Sequence, residues 1–459
     1  MILTTSTYLA KMTNVLIRTV LCLLVIADFS LADTTTNRKE GTSATGTPEI
    51  FQEPESSYWS QPYMLGDWGG ERTKLANEGI VFFLNNIGDL QSDVTGSQTH
   101  HVTYNGRFRG ITDINFEKLA NFDGEFFFTG IWQYGENNTV QYPLGGGAFG
   151  TPYHVNTFTS SVGGKGSERI DQLWYQQGFA DSMFKVKLGQ VAASSEFGAT
   201  DFYDIFVNDE IAYAPDALYN IRQPFSPAGK PGIILWGDLS DLTKGLYVKT
   251  GAFTAYDNPY SLDSNGIYYY DDFNHGMTAA FEVGYNEPNT AYPGLYKAGL
   301  NANELSYTNP YTGKHYWGDY NAYAVWEKTV YHPTGADGKP QTAKGLDLVS
   351  EFIGAPGDRN PLQYEITAGC RYTGLIPGRD ADKANFGIIY SDVGTAYSSA
   401  YRTVYGHGLG GEIDMELGYQ YNATPWFGIQ PNLQDIINPQ GDTQRAEILI
   451  IGLRTIVQF

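Results

Sequence analysis

Cysteine is almost missing from this chain: there are two, Cys22 and Cys370. A pair so placed, with Cys22 inside an N-terminal apolar run, excludes a disulfide framework and a cysteine-based metal cluster. Methionine is scarce as well, at 6 residues, where a helical core would draw on more Leu, Ala and Met. Basic residues are outnumbered, 29 Lys+Arg against 50 Asp+Glu, for a formal charge of −21. That balance argues against a nucleic-acid partner and against a basic surface for anionic lipid. After Ala32 no apolar stretch reaches 18 residues, which excludes a spanning helix. The chain has no HExxH, no GxSxG, no phosphate-binding loop and no repeat at fixed period. The expectation is a non-enzyme without cofactor or metal.

What the chain does have is aromatic and glycine residues, with 34 Tyr, 25 Phe, 8 Trp and 53 Gly. These suit strands, tight turns and interfacial girdles. The last stretch, Arg445–Phe459, shows the pattern most openly. Leu449, Ile451, Leu453, Val457 and Phe459 fall on one face of a strand; Ile450, Gly452, Arg454, Ile456 and Gln458 fall on the other. An apolar stripe at period two opposite a mixed face with an arginine fits lipid on one side and a wet lumen on the other. An ordinary hydropathy is compatible with this, because half of each barrel strand faces water.

Lys11 and Arg18 flank the apolar run Val15–Ile26, and Ser30-Leu31-Ala32 follows, so residues 1–32 read as a secretory signal cut after Ala32. Residues 33–57, rich in Thr, Ser, Glu, Gly and Pro, read as a flexible leader. In residues 58–79, Leu65-Gly66-Asp67-Trp68-Gly69-Gly70 precedes a short amphipathic helix over Glu71–Glu78, with Gly79 as its C′ residue. Strands fill residues 80–459, among them Val81–Leu84, Gly106–Lys118, Glu168–Phe179, Asn321–Tyr331, Gly410–Tyr421 and Ile448–Phe459. Short turns at Leu119–Asp123 and Ala180–Met183 contrast with long Gly-, Asn- and Tyr-rich segments at Gln133–Lys165 and Tyr285–Asp319. Short turns at one end and long loops at the other is the habit of outer-membrane barrels. The predicted fold is all-β, a transmembrane antiparallel β-barrel of about 16 strands with a short N-terminal helix. The last strand should pair with one near Ile80–Asn85, with Arg454 inward.

Gly106–Lys118 is the clearest lumen-facing candidate. Arg107, Arg109, Asp113, Asn115 and Glu117 share one parity with Ile111, opposite Phe108, Gly110, Thr112, Ile114 and Phe116. Guanidinium and carboxylate groups in a row bind the vicinal hydroxyls of small sugars. Trp132, Trp174 and Trp326 could stack on a sugar face, and Trp174 is taken with that group as substrate-binding; tryptophan also marks membrane interfaces. Other apparent motifs carry less. Gly406, Gly408 and Gly411 match GxGxxG but lead into a strand. Asp380 and Asp382 follow a turn and read as solvated carboxylates. Ser194-Ser195 near Glu196 has no neighbouring histidine.

Three stretches resemble the carbohydrate-selective porins of the OprB type. They are Leu65–Gly70 with Arg72, Leu75 and Gly79-Ile80; Gly369, Tyr372, Gly374–Arg379 and Asp382; and Pro425-Trp426, Gln430-Pro431, Gln434, Asn438-Pro439 and Gly441 with the final strand. Glu117-Lys118-Leu119, Trp174–Gln177, Gly189-Gln190 and Phe197 also fit. The resemblance implies a 16-stranded barrel in the bacterial outer membrane, in contact with outer-membrane lipid, passing small sugars such as glucose down a gradient, as monomer or trimer. Arg107 and Arg109 together, and the aromatic run Ile267–Tyr270, depart from the family pattern as it is resembled here. A general or cation-preferring diffusion porin shares the architecture, and a barrel enzyme is a more distant alternative.

Overall fold

A strand with one oily and one wet face cannot stand alone in a membrane, because each edge leaves a row of unpaired N–H and C=O groups. The computed structural model describes residues 58–96, 102–135, 167–202, 205–208, 211, 220–255, 265–266, 276–289 and 291–459. These residues form sixteen strands: β1 (Ile80–Thr95), β2 (Val102–Asn115), β3 (Gly124–Gly135), β4 (Ser167–Phe179), β5 (Phe184–Val191), β6 (Lys230–Asp238), β7 (Leu246–Thr254), β8 (Met277–Asn286), β9 (Gly294–Thr308), β10 (His315–Tyr331), β11 (Gly345–Gly354), β12 (Leu362–Thr373), β13 (Lys383–Val393), β14 (Gly411–Thr424), β15 (Phe427–Ile437) and β16 (Ile448–Gln458). Each pairs antiparallel with its neighbours in sequence, and β16 closes on β1, so no edge remains.

Closure uses the last strand as its alternation predicts. It meets β1 further along than Ile80–Asn85, from Asn85↔Gln458 to Thr95↔Leu449. Ile451 and Leu453 are exposed on the outer face, while Arg454 is buried inside. The expected cleavage site, the leader and Ile267–Tyr270 lie outside the described residues.

Three strands are corrections to the sequence reading. β6, β9 and β15 were not expected, and β9 lies inside a segment read as a long loop. β6 and β15 carry Pro231 and Pro431, which remove a ladder donor. In β9, Asn301 and Asn303 face inward between outward Ala298, Leu300 and Ala302, too weak an apolar stripe to read as a strand. At the other end of the scale, β2 stops at Asn115, short of Lys118. The Asn115 side chain accepts the Lys118 N–H at 3.1 Å and caps a helical turn, α2 (Phe116–Ala120), which ends on left-handed Asn121. Glu117 therefore sits on that turn and does not share the strand face of Arg107, Arg109 and Asp113. Local capping overrides a period-two pattern that runs on for three residues.

Residues 58–79 clasp the end of the barrel where β1 begins and β16 stops. Helix α1 (Glu71–Asn77) opens beneath Asp67, whose carboxylate accepts the Thr73 N–H at 2.8 Å. It ends at Gly79, whose φ of +93° is left-handed and where a Cβ would come within 2.5 Å of the Asn115 carbonyl. Arg72 stacks on Tyr63 and Trp68 and donates to the Phe459 carbonyl at 2.9 Å. Trp426 donates to the Tyr58 carbonyl.

The same end carries the turn Gly374–Asp382. Arg379 grips Asp382 through two bonds, 2.8 and 2.6 Å, and donates to the Asn422 carbonyl at 2.7 Å. Asp382 also accepts the Tyr419 hydroxyl and the Asn422 N–H. The turn is thus tied to β14 through a carboxylate that the sequence alone read as solvated. Burial raises the Asp382 carboxyl, but Arg379, the Asn422 N–H and Tyr419 outweigh it and hold it below the usual carboxylate range. A depressed carboxyl stabilises the fold above its unfolded value of about 3.9 and loses that contribution as pH falls through the folded value. Asp382→Asn should therefore lower the thermal transition of the purified barrel at neutral pH, and the gap from wild type should close below about pH 4. A gap that stays constant down to pH 3 would show that the carboxylate charge is not what holds the turn.

Candidate functional site: the barrel lumen

Directly opposed residues of paired strands share a face, so the register carries the inward face from strand to strand. Arg454 sets it: the guanidinium grips Asp89 at 2.7 and 2.9 Å across the seam and donates to the Phe206 carbonyl, which belongs to the β5–β6 connection inside the barrel. Asp89 opposes Asn105, which places Arg107, Arg109, Ile111 and Asp113 on the lumen face of β2. One strand on, Arg109 opposes Ile131, which opposes Arg169 of β4. Arg107, Arg109 and Arg169 share electrostatic contact with one buried carboxylate, Asp171, which accepts the Ser226 hydroxyl at 2.8 Å.

Of the residues singled out from sequence, Arg107, Arg109 and Asp113 are thus brought together on one inward face. Asn115 stands at its end, exposed, its side chain engaged in capping α2. Trp174 also faces inward, in line with Asp113 and Phe127, but it is 3% exposed. Its ring stacks on Phe127 at 4.9 Å and carries the Lys187 ammonium at 3.6 Å, so it is a packed part of the wall. Trp132 and Trp326 lie on the outward parity. Trp132 stacks on Phe108 at 5.6 Å in a lipid-side cluster that also takes in Tyr134 and Phe459. Ser194 and Glu196 hold the β5–β6 connection in place: the Ser194 hydroxyl accepts the Ser226 N–H, and Glu196 pairs with Lys187 at 2.6 Å.

That connection is the feature sequence reasoning missed. From Ala192 it runs inside the barrel, touching in turn the walls of β7, β8, β9, β10 and β12, then β15, β16 and β14. Wall carboxylates accept its backbone N–H groups: Glu282 from Gly198 at 2.8 Å, Glu327 from Asp201 at 3.3 Å, and Glu416 from Val207 at 3.0 Å and Asn208 at 2.7 Å. Wall cations and amides donate to its carbonyls: Lys249 to Glu196, Lys297 to Ala199, Arg371 to Asp201, Gln430 to Ile205 and Arg454 to Phe206. Phe197, Phe202 and Phe206 are buried between it and the wall. Burying each such ring stabilises by about 1.5–3 kcal/mol, so the connection is a packed element. The sequence signal was a single acid on the inward parity of otherwise unremarked strands, as in Phe281-Glu282-Val283.

The connection covers one side of the lumen. Glu282, Tyr323, Glu351 and Asp414 are buried beneath or beside it, whereas Asn85, Arg107, Arg109 and Asp113 keep partial access to solvent. Two guanidinium groups and a carboxylate on the inward face of β2 thus stay within reach of water, and such groups can exchange hydrogen bonds with a hydroxylated solute.

Comparison with known proteins follows the same line. A family model described as "Carbohydrate-selective porin, OprB family" matches residues 99–459. "Porin B" of Pseudomonas aeruginosa is 24% identical, with 97% of this chain and 99% of that protein covered. "Putative porin QuiX" of Acinetobacter baylyi is 21% identical over 88% of this chain and 95% of its own length. Among solved structures, the high-pH structure of Pseudomonas putida OprB superposes with a TM-score of 0.76 at 21% identity, covering 88% of this chain and all of that one.

Glu416→Ala would leave two buried N–H groups without an acceptor, at about 1–3 kcal/mol each, and loosen the crossing segment. Single-channel conductance in planar bilayers should rise; a trace like wild type would mean that this segment does not set the narrowest cross-section.

Proposed function

The chain belongs to the carbohydrate-selective porin family of the OprB type, and from that premise we propose that it passes monosaccharides of glucose size along the β1–β2 side of its lumen, with Arg107, Arg109 and Asp113 as the groups that hold them in transit. As a member of this family it is a channel of the bacterial outer membrane through which carbohydrate diffuses passively, and it is a channel rather than an enzyme. The observation that carries the residue assignment is the partial solvent access of Arg107, Arg109 and Asp113 on the inward face of β2.

A sugar entering the narrow part loses hydrogen bonds to water, and each unreplaced one costs on the order of 1–3 kcal/mol. Planar donors on one strand and an acceptor four residues further along replace those bonds as the solute moves. An apolar neck would raise the barrier, and a tight pocket would stop flux by retaining the sugar. Asp171 supports this arrangement as a buried carboxylate within electrostatic reach of Arg107, Arg109 and Arg169. Trp174 supports it from behind, as a rigid wall. Asn115 and Glu117, at the end of β2 and on α2, lie at the barrel's short-turn end and take no part in the narrow passage.

Liposome swelling with a sugar series tests the assignment. Arg107→Ala and Arg109→Ala should each slow glucose entry by roughly three- to ten-fold, about one hydrogen bond's worth of barrier, with a smaller effect on ion conductance. Unaltered glucose entry in both variants would remove these arginines from the passage and leave the crossing segment as its selective part.

A further inference from the structure

On the lipid side of the barrel, away from the lumen, a groove of about 530 Å³ opens between β10, β11 and β12. That is within the ~300–1,000 Å³ of small-molecule clefts. Register explains it. Leu300, Ala322, Gly354 and Tyr364 stand side by side on the outward face of four consecutive strands, so two small residues lie between two large ones. Tyr320 closes the groove toward the long-loop end, and Phe352 and Ile366 close it toward the membrane centre.

We propose that this groove holds an acyl chain of a phosphate-bearing lipid of the outer leaflet as a resident ligand. Its depth fits such an occupant. Trp317 is 82% exposed and Tyr320 58%, and both lie at the rim where the long loops begin, the end that faces the exterior in barrels of this kind. Aromatics so placed mark the headgroup level, which sets the groove just inside the hydrocarbon. Its walls are aromatic and aliphatic, so a chain lying in it gains dispersion contacts with Tyr320, Phe352, Tyr364 and Ile366. The rim offers a lipid phosphate two cations: Lys314 and Arg359 sit over Tyr316 at 4.5 and 4.0 Å, Arg359 being paired with Asp358 and, among the described residues, also facing Asp319. Arg359 donates to the Gly318 carbonyl at 3.0 Å, two residues from Tyr320, and Pro356 of the groove is three residues from Arg359. The cations therefore stand beside the mouth of the groove.

The glycine provides the test. A side chain at Gly354 would meet the Phe352 ring at 3.5 Å, an ordinary contact, so Gly354→Leu fills the groove without displacing backbone. Gly110, on the outward face of β2 with Leu84 at 4.0 Å, is the matched control. The full-length protein is reconstituted with phosphatidylglycerol carrying a photoreactive diazirine on one acyl chain, illuminated and mapped by mass spectrometry. Labelling at Tyr320, Phe352 or Tyr364 should exceed that at Phe108 and Leu453 by about five-fold or more, should fall by a similar factor in Gly354→Leu, and should persist in Gly110→Leu. Even labelling around the wall, or labelling indifferent to Gly354→Leu, overturns the proposal. So does a chain-to-chain cross-link through the same face, which would make a second copy the occupant. Glucose swelling by Gly354→Leu liposomes reports that the barrel is intact; should that variant fail to assemble, the wild-type map decides on its own.

Discussion

One buried guanidinium ties together the two features on which this barrel depends. Arg454 lies on the last strand, reaches across the seam to Asp89 on the first, and turns its third bond to the segment that crosses the lumen. The hydrogen-bond ladder closes the sheet; the ion pair fixes which residues meet at the closure and where the crossing segment rests. A buried pair of this kind adds little against a well-packed apolar substitute, but removing one partner strands a charge at a cost of about 3–5 kcal/mol. Closure of the wall and narrowing of the passage are therefore mechanically linked.

The acidic character of the chain takes on a different meaning in this light. A formal charge of −21 invites the picture of a pore lined with free carboxylates. Several inward acids instead serve as acceptors for backbone N–H groups that have no strand to pair with: Glu282, Glu327 and Glu416 do so for the crossing segment. A loop held inside a barrel faces the same requirement as a strand in lipid, since each buried N–H needs a partner. Carboxylates meet it with charge-assisted bonds. The cations of β7, β9 and β12 perform the reciprocal task for the loop's carbonyls. The arginines of β2 keep partial access to water, so a strongly acidic protein still shows guanidinium groups on the inside of its wall.

The outer wall follows a simpler rule. Its exposed residues are apolar along the strands and aromatic at the ends, as a lipid environment demands. Trp132, Phe108, Tyr134 and Phe459 form one such cluster at the seam. Among the described residues the interior holds four apolar clusters, the larger two around Phe127, Trp174, Phe197 and Tyr323 and around Phe206 and Val349.

Alternation along β16 and β2 was enough to reveal a membrane barrel, the inward turn of Arg454, and the shared face of Arg107, Arg109 and Asp113. These are consequences of the two-residue period of a strand, which is written in the order of the residues. Strands whose outward residues are small, or that contain proline, were hidden for the same reason: β9 and β15 owe their place to neighbours on both sides. The extent of β2 was misread because Asn115 can continue a strand or cap a helix, and only the chain around it chooses. The path of the β5–β6 connection, the partners of Glu416 and Glu282, and the occupied ring of Trp174 belong to tertiary structure alone. They depend on contacts between residues up to about two hundred positions apart, and no local pattern encodes which distant carboxylate will meet which backbone N–H.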